Sequence, residues 1–162
     1  PAGAATFGAG FLALKDTGGT IRTFNFGPTP NNAHQLLNAG GLGVDTKGIV
    51  VGTGATAESF EHNSLVAKVA HGSGAGQLSY NASNATAVSY NSGTKVWTAT
   101  LVRVFNNNSG GTIVIAELGI YGYEDFLGNI FMISRDLLGT TVSVLNGGQL
   151  TVTYTMTLTF PA

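Results

Sequence analysis

The sequence predicts an all-β chain, an antiparallel β-sandwich of jelly-roll type with roughly nine or ten strands, and three observations carry that prediction. Near the C-terminus, Leu150, Val152, Tyr154, Met156, Leu158 and Phe160 alternate with Thr151, Thr153, Thr155, Thr157 and Thr159. Successive side chains of a strand point to opposite faces, so this stretch has one apolar face and one threonine face; a helix would mix the two sets. Clusters of Gly, Asn, Asp and Ser punctuate the rest of the chain at the spacing of short strands. Only Ala33 to Asn38 suggests a helix, and a short one.

Taken in order, strands are expected at 5–14 and 20–26, joined by the turn Asp16-Thr17-Gly18-Gly19. Residues 27–47 hold Pro28, Pro30 and a cluster of glycines at 40, 41 and 43, and read as a long connection. Further strands are expected at 48–52, 64–71, 76–81 and 86–90. Residues 96–105 and 112–123 read as a hairpin across Asn106-Asn107-Asn108-Ser109-Gly110-Gly111, a run tolerant of positive φ. Matching Trp97, Ala99, Leu101 and Phe105 to Val114, Ala116, Leu118 and Ile120 would set Trp97 beside Ile120, with Trp97 in the core. A turn at 126–129 leads to a strand at 130–135. The alternating C-terminal strand is expected to be central in its sheet, with its whole apolar row buried. The 162 residues fit a single β domain, with residues 1–10 as an N-terminal arm or first strand.

Composition narrows function. Charged residues make up 9% of the chain against 43% hydrophobic, where about 25% charged is usual. Such a surface is either covered by partners or solvated by Thr, Asn, Ser and Gly. Net charge is −1 and the seven Lys and Arg are scattered, which argues against nucleic acid. No stretch approaches the ~20 apolar residues of a membrane helix. The chain has no cysteine, so disulfides and thiolate metal sites are excluded. The start at Pro1, with no basic n-region before its apolar stretch, fits cytoplasmic synthesis without a leader.

No catalytic set can be assembled. His34, His62 and His71 are not at metal-ligand spacing. The run His71-Gly72-Ser73-Gly74-Ala75-Gly76 lacks the glycine two before the serine that a nucleophile elbow requires. Glu58 and Glu61 would make at most a weak cation loop, and a solvated loop is the simpler reading. No cofactor is expected. Arg103 and Glu117 are charges within apolar strands, on opposite faces of the expected hairpin, so each needs its own partner. With Arg135 and Asp136 they are candidates for ion pairs at an interface, or equally for edge-strand charges that discourage aggregation. Thr153, Thr155 and Thr157 are candidates for the face that meets a neighbouring subunit.

The segments GIVVGTGATAESF (48–60), VAKVAHGSGAGQLSY (66–80), WTATLVRVFNNNSGGTIVIAELGIYG (97–122), FMISRDLL (131–138) and GGQLTVTYTMTLTF (147–160) resemble a group of small virion proteins of tailed bacteriophages. The resemblance spans about residues 10–160 and its motifs are structural. It implies a non-enzymatic virion structural protein without fixing its place in the particle; the size, the lack of a fibre-like repeat and the single compact domain favour a capsid decoration (cement) protein that forms homo-oligomers, a trimer being the expected form, and binds the capsid. Its partners would be copies of itself and a capsid or tail protein, with neither nucleic acid nor membrane. A tail, tube or fibre component is the alternative placement. A carbohydrate-binding sandwich, using Tyr80, Tyr90, Tyr121 or Tyr123, is the alternative of a different class.

Overall fold

In the computed structural model, the described residues are 10–26, 36–37, 39–84, 86–124 and 128–161. They form strands and connections, with no helix among them. The strands are β1 (Gly10–Lys15), β2 (Ile21–Phe26), β3 (Leu36–Leu37), β4 (Gly48–Gly52), β5 (Ser79–Tyr80), β6 (Ala87–Asn91), β7 (Val96–Asn106), β8 (Ile113–Glu124), β9 (Ile130–Val144) and β10 (Gln149–Thr159). The described pairings are all antiparallel between these strands. The chain is thus all-β, as its alternating pattern requires.

One four-stranded sheet is built around β7, which pairs with β10 on one side and with β5 and β6 on the other. A second is built around β8, flanked by β3 and β4 on one side and β9 on the other. Ile49, Val50 and Val51 of β4, Ile113, Ile115 and Tyr121 of β8, and Val144 of β9 share one buried cluster with Tyr80, Leu101, Phe105 and Val152 of the first sheet. Two sheets that close on a common core make a β-sandwich. A separate hairpin, β1 with β2, is turned by Asp16, whose carboxylate accepts the Gly18 and Thr20 amides at 3.0 and 2.8 Å.

Several expectations are corrected. The stretches 96–105 and 112–123 are strands but not a hairpin; they are the central strands of different sheets. Asn107 explains the crossover. Its side chain donates to the Gly111 and Val144 carbonyls at 2.8 and 2.7 Å, and its backbone exchanges bonds with Gly147 and Gly148. It therefore ties the β7–β8 connection to the β9–β10 turn, so both passages between the sheets are pinned at one point. The apolar face expected on β8 is also shifted. Ile113 and Ile115 are buried while Val114 is exposed, and a register break between Ile115 and Glu117 rotates the strand thereafter.

Residues 64–71 are not a strand: they touch β4 through a single bridge, Gly52 to Lys68. Leu36–Leu37 is a short strand where a helix was expected; residues 1–9, 27–35, 38, 85, 125–127 and 162 lie outside the described residues, and with them most of that segment and of the N-terminal arm. Strand β9 runs on to Val144, well beyond the expected 130–135. Among the described residues β10 pairs only with β7, so it is an edge strand and not a central one.

Candidate assembly interface

The buried charges of the central strands brace the chain internally. Arg103 lies on the core face of β7 and is fully buried. Its Nε donates to the Asn81 carbonyl, Nη1 to those of Lys47 and Ile49, and Nη2 to those of Gly41 and Val44, at 2.6–2.9 Å. A guanidinium has five N–H donors, and every one has a carbonyl. The Tyr80 ring lies beneath the guanidinium, 4.9 Å from its carbon. Burial lowers the pKa of Arg103, with Tyr80 and Asp45 acting in the opposite direction. Gly40 is required beside it, since a Cβ there would stand 2.6 Å from Nη1.

Glu117 is equally buried and pairs with Arg135, Nε to Oε2, at 2.8 Å. Its carboxylate also accepts the amides of Gly54, Val66 and Ala67. Arg135 reaches on to the Thr56 carbonyl and to Nδ1 of His62. This pair thus holds the irregular segment 53–67 against the sheet, and the carboxylate takes amides that a strand there would have given to a ladder. Asp136 is half-buried and accepts the Ser134 hydroxyl at 3.1 Å. Arg103, Glu117 and Arg135 are therefore internal braces rather than contacts between copies.

Thr153, Thr155 and Thr157 are exposed on the outer face of β10. Registers across the sheet place Thr157 beside Thr98 and Ser89, Thr155 beside Thr100 and Ala87, and Thr153 beside Val102. The result is a face of small side chains without a charge.

The opposite, core-facing side of the same sheet was not anticipated. Its rows run Leu150–Phe105–Tyr80, then Val152–Arg103, then Tyr154–Leu101, then Met156–Ala99–Val88, then Leu158–Trp97–Tyr90. The first rows are packed into the core. The last overhang it: Val88 is 59% exposed, Tyr90 53%, Leu158 53% and Phe160 44%. Trp97 is half-buried and lies outside the core cluster, contrary to the expectation from its alternation. The Tyr90 and Phe160 rings meet edge to face, with centroids 6.1 Å apart. β7 and β10 are 11 residues each, and the exposure of Val88, Tyr90 and Leu158 shows that their apolar pattern continues past the part that is packed into the core. Leu158 was visible as a member of an alternating strand and Tyr90 as the end of the expected strand 86–90; what the sequence did not show was where the cover stops.

Elsewhere, Glu58, Phe60, His62, Met132 and Arg135 line an open depression of about 590 Å³. Glu58 accepts the Leu137 amide and Arg135 is held by Glu117, so these groups are engaged in structure. Among the described residues no three His, Asp or Glu side chains could hold a metal ion, and no helix is long and apolar enough to cross a membrane. Of the tyrosines considered for sugar binding, Tyr80 and Tyr121 are buried in the core and Tyr123 lies under the Lys47 ammonium. Comparison with known proteins yields no matching family model, no matching characterised sequence and no matching solved structure.

Proposed function

We propose that this chain is a non-enzymatic virion structural protein, a capsid decoration protein that oligomerises and binds the capsid surface. The observation that supports assembly most is the overhanging end of the β7 sheet. It has exposed apolar side chains on one face, uncharged threonines on the other, and an open strand along its side. Contiguous apolar surface rimmed by polar residues is the mark of an association site. Placement in a phage particle rests on the sequence resemblance over residues 10–160. Purified particles carry the protein in stoichiometric copies on this reading. Its absence from washed particles would overturn the reading, and its presence on isolated tails but not on shells would move it to a tail, tube or fibre component.

A further inference from the structure

The assembly reading leaves open which strand meets which partner, and the edge of β10 answers in detail. We propose that β10 pairs antiparallel with β10 of a second copy, about a twofold axis at Thr155, so that two four-stranded sheets become one continuous sheet. The proposal rests on the assembly reading above and names the partner and register for that same surface.

The direction of each backbone group on β10 follows from its bonds to β7. The Phe160 amide donates to Lys95, and the Asn107 amide donates to Gly148. In an antiparallel pair, residues that exchange hydrogen bonds alternate with residues that do not. The even-numbered residues of β10 therefore bond β7. The amides and carbonyls of Thr151, Thr153, Thr155, Thr157 and Thr159 point the other way, to the open edge, where no strand among the described residues pairs with them.

Open edges are normally guarded by charge, proline, bulges or cover. The outer edge of β9 shows such guards. The Leu137 amide is capped by the Glu58 carboxylate, the Ile130 carbonyl accepts the Thr17 amide, and Arg135, Asp136 and two register breaks interrupt the strand. β6 is only 5 residues long. β10 has none of these devices: no lysine, proline, charge or bulge occurs over its 11 residues.

A second copy satisfies this edge better than a charged strand would, because β10 offers no counter-charge to meet one. Centred on Thr155, antiparallel pairing sets Thr155 against Thr155 of the partner subunit and Thr151 against Thr159 of the partner subunit. All the outward-pointing threonines then bond one another. The same register brings the overhanging Leu158 beside Val152 of the partner subunit, and Phe160 beside Leu150 of the partner subunit. Each copy's exposed apolar end is thus laid alongside the covered part of the other's row.

Area requires both contributions. At ~3.4 Å per residue the strand is about 37 Å long, and with sheets packing about 10 Å apart its edge presents roughly 370 Å². A standard interface uses about 800 Å² per partner. The edge alone falls short, and the apolar overhang must supply the rest.

A chain with no cysteine makes the test direct. Thr155→Cys should form a disulfide-linked dimer under mild oxidation, since hydrogen-bonded antiparallel residues lie about 5.5 Å apart at Cα, within disulfide range. Thr151→Cys, displaced from its own counterpart, should not. Thr155→Pro removes one outward amide without touching a bond to β7, and should weaken self-association at least tenfold while the protein remains folded. If native wild type is a multimer but Thr155→Cys does not link and Thr155→Pro associates normally, the pairing is wrong and the assembly reading survives. If wild type is a monomer at every concentration, the pairing fails; if it is also absent from particles, the assembly reading fails with it. Should Thr155→Pro not fold, the cysteine pair alone decides.

Discussion

Arg103 places a full charge in the core and satisfies it with the carbonyls of residues 41, 44, 47, 49 and 81. Lysine has three donors in place of five and no planar fork, so Arg103→Lys leaves at least two buried carbonyls without a partner. At 1–3 kcal/mol for each orphaned group, the loss should be about 3–5 kcal/mol in urea denaturation; a loss below about 1 kcal/mol would show that the cage is dispensable. The sequence showed that Arg103 and Glu117 each needed a separate partner. It did not show that Arg103's partners are backbone groups of two distant segments, 41–49 and Asn81, because residue type carries no signal for a carbonyl.

Asp45 belongs to the same region and carries a pH prediction. Burial pushes its pKa up, but the His71 amide and the Lys68 ammonium outweigh this and leave it lowered. The Arg22 guanidinium and the Thr20 amide lower Asp16 likewise. A lowered carboxylate contributes stability that is fully present above its unfolded pKa, about 3.9. That contribution is lost as pH falls through the folded value. The urea midpoint should therefore hold between pH 5 and 7 as far as these groups govern it, and drop below about pH 4. Asp45→Asn should lower the plateau and make the acid drop shallower. An unchanged acid limb would show that Asp45 contributes nothing.

Among the elements, β10 shows both what alternation reveals and what it hides. Its two faces, its extent and its threonine row were readable from period two alone. Its neighbours were not, because an apolar row looks the same on a central strand and on an edge. The same ambiguity misled the reading of β7 and β8. Their faces matched well enough to suggest a hairpin, while Asn107 and the turn 145–148 carry the chain across to the other sheet. The position of Leu158 makes the difference measurable. On a buried central strand Leu158→Asp would prevent folding. At 53% exposure on an overhang, it should cost less than about 1 kcal/mol and act chiefly on association. A variant that fails to fold would show that the overhang is covered within the chain. Trp97→Ala should likewise fall below the ~3–5 kcal/mol typical of a fully buried aromatic.

At the scale of the whole molecule, several charges among the described residues meet in ion pairs within the chain. Arg22 meets Asp16 at 2.8 Å, Lys68 meets Asp45 at 3.1 Å, Arg135 meets Glu117 at 2.8 Å and Lys15 approaches Glu61 at 3.6 Å. The exposed faces of β6, β7 and β10 carry none, and Lys95 stands in the turn between β6 and β7. The low charge content noted in the sequence thus has a place in the fold: it is concentrated on one sheet end, beside an open edge. Composition left open whether partners or Thr, Asn, Ser and Gly cover such a surface; the pairing of strands shows where in the fold that uncharged surface lies. The measurement that bears most directly on this account is the native mass of the wild-type protein at micromolar concentrations, by sedimentation equilibrium, beside that of Leu158→Asp. A wild type of at least twice the mass of one chain is expected, with a folded Leu158→Asp protein that has the mass of one. A wild type that remains a single chain throughout, or a Leu158→Asp protein that associates as the wild type does, would contradict it.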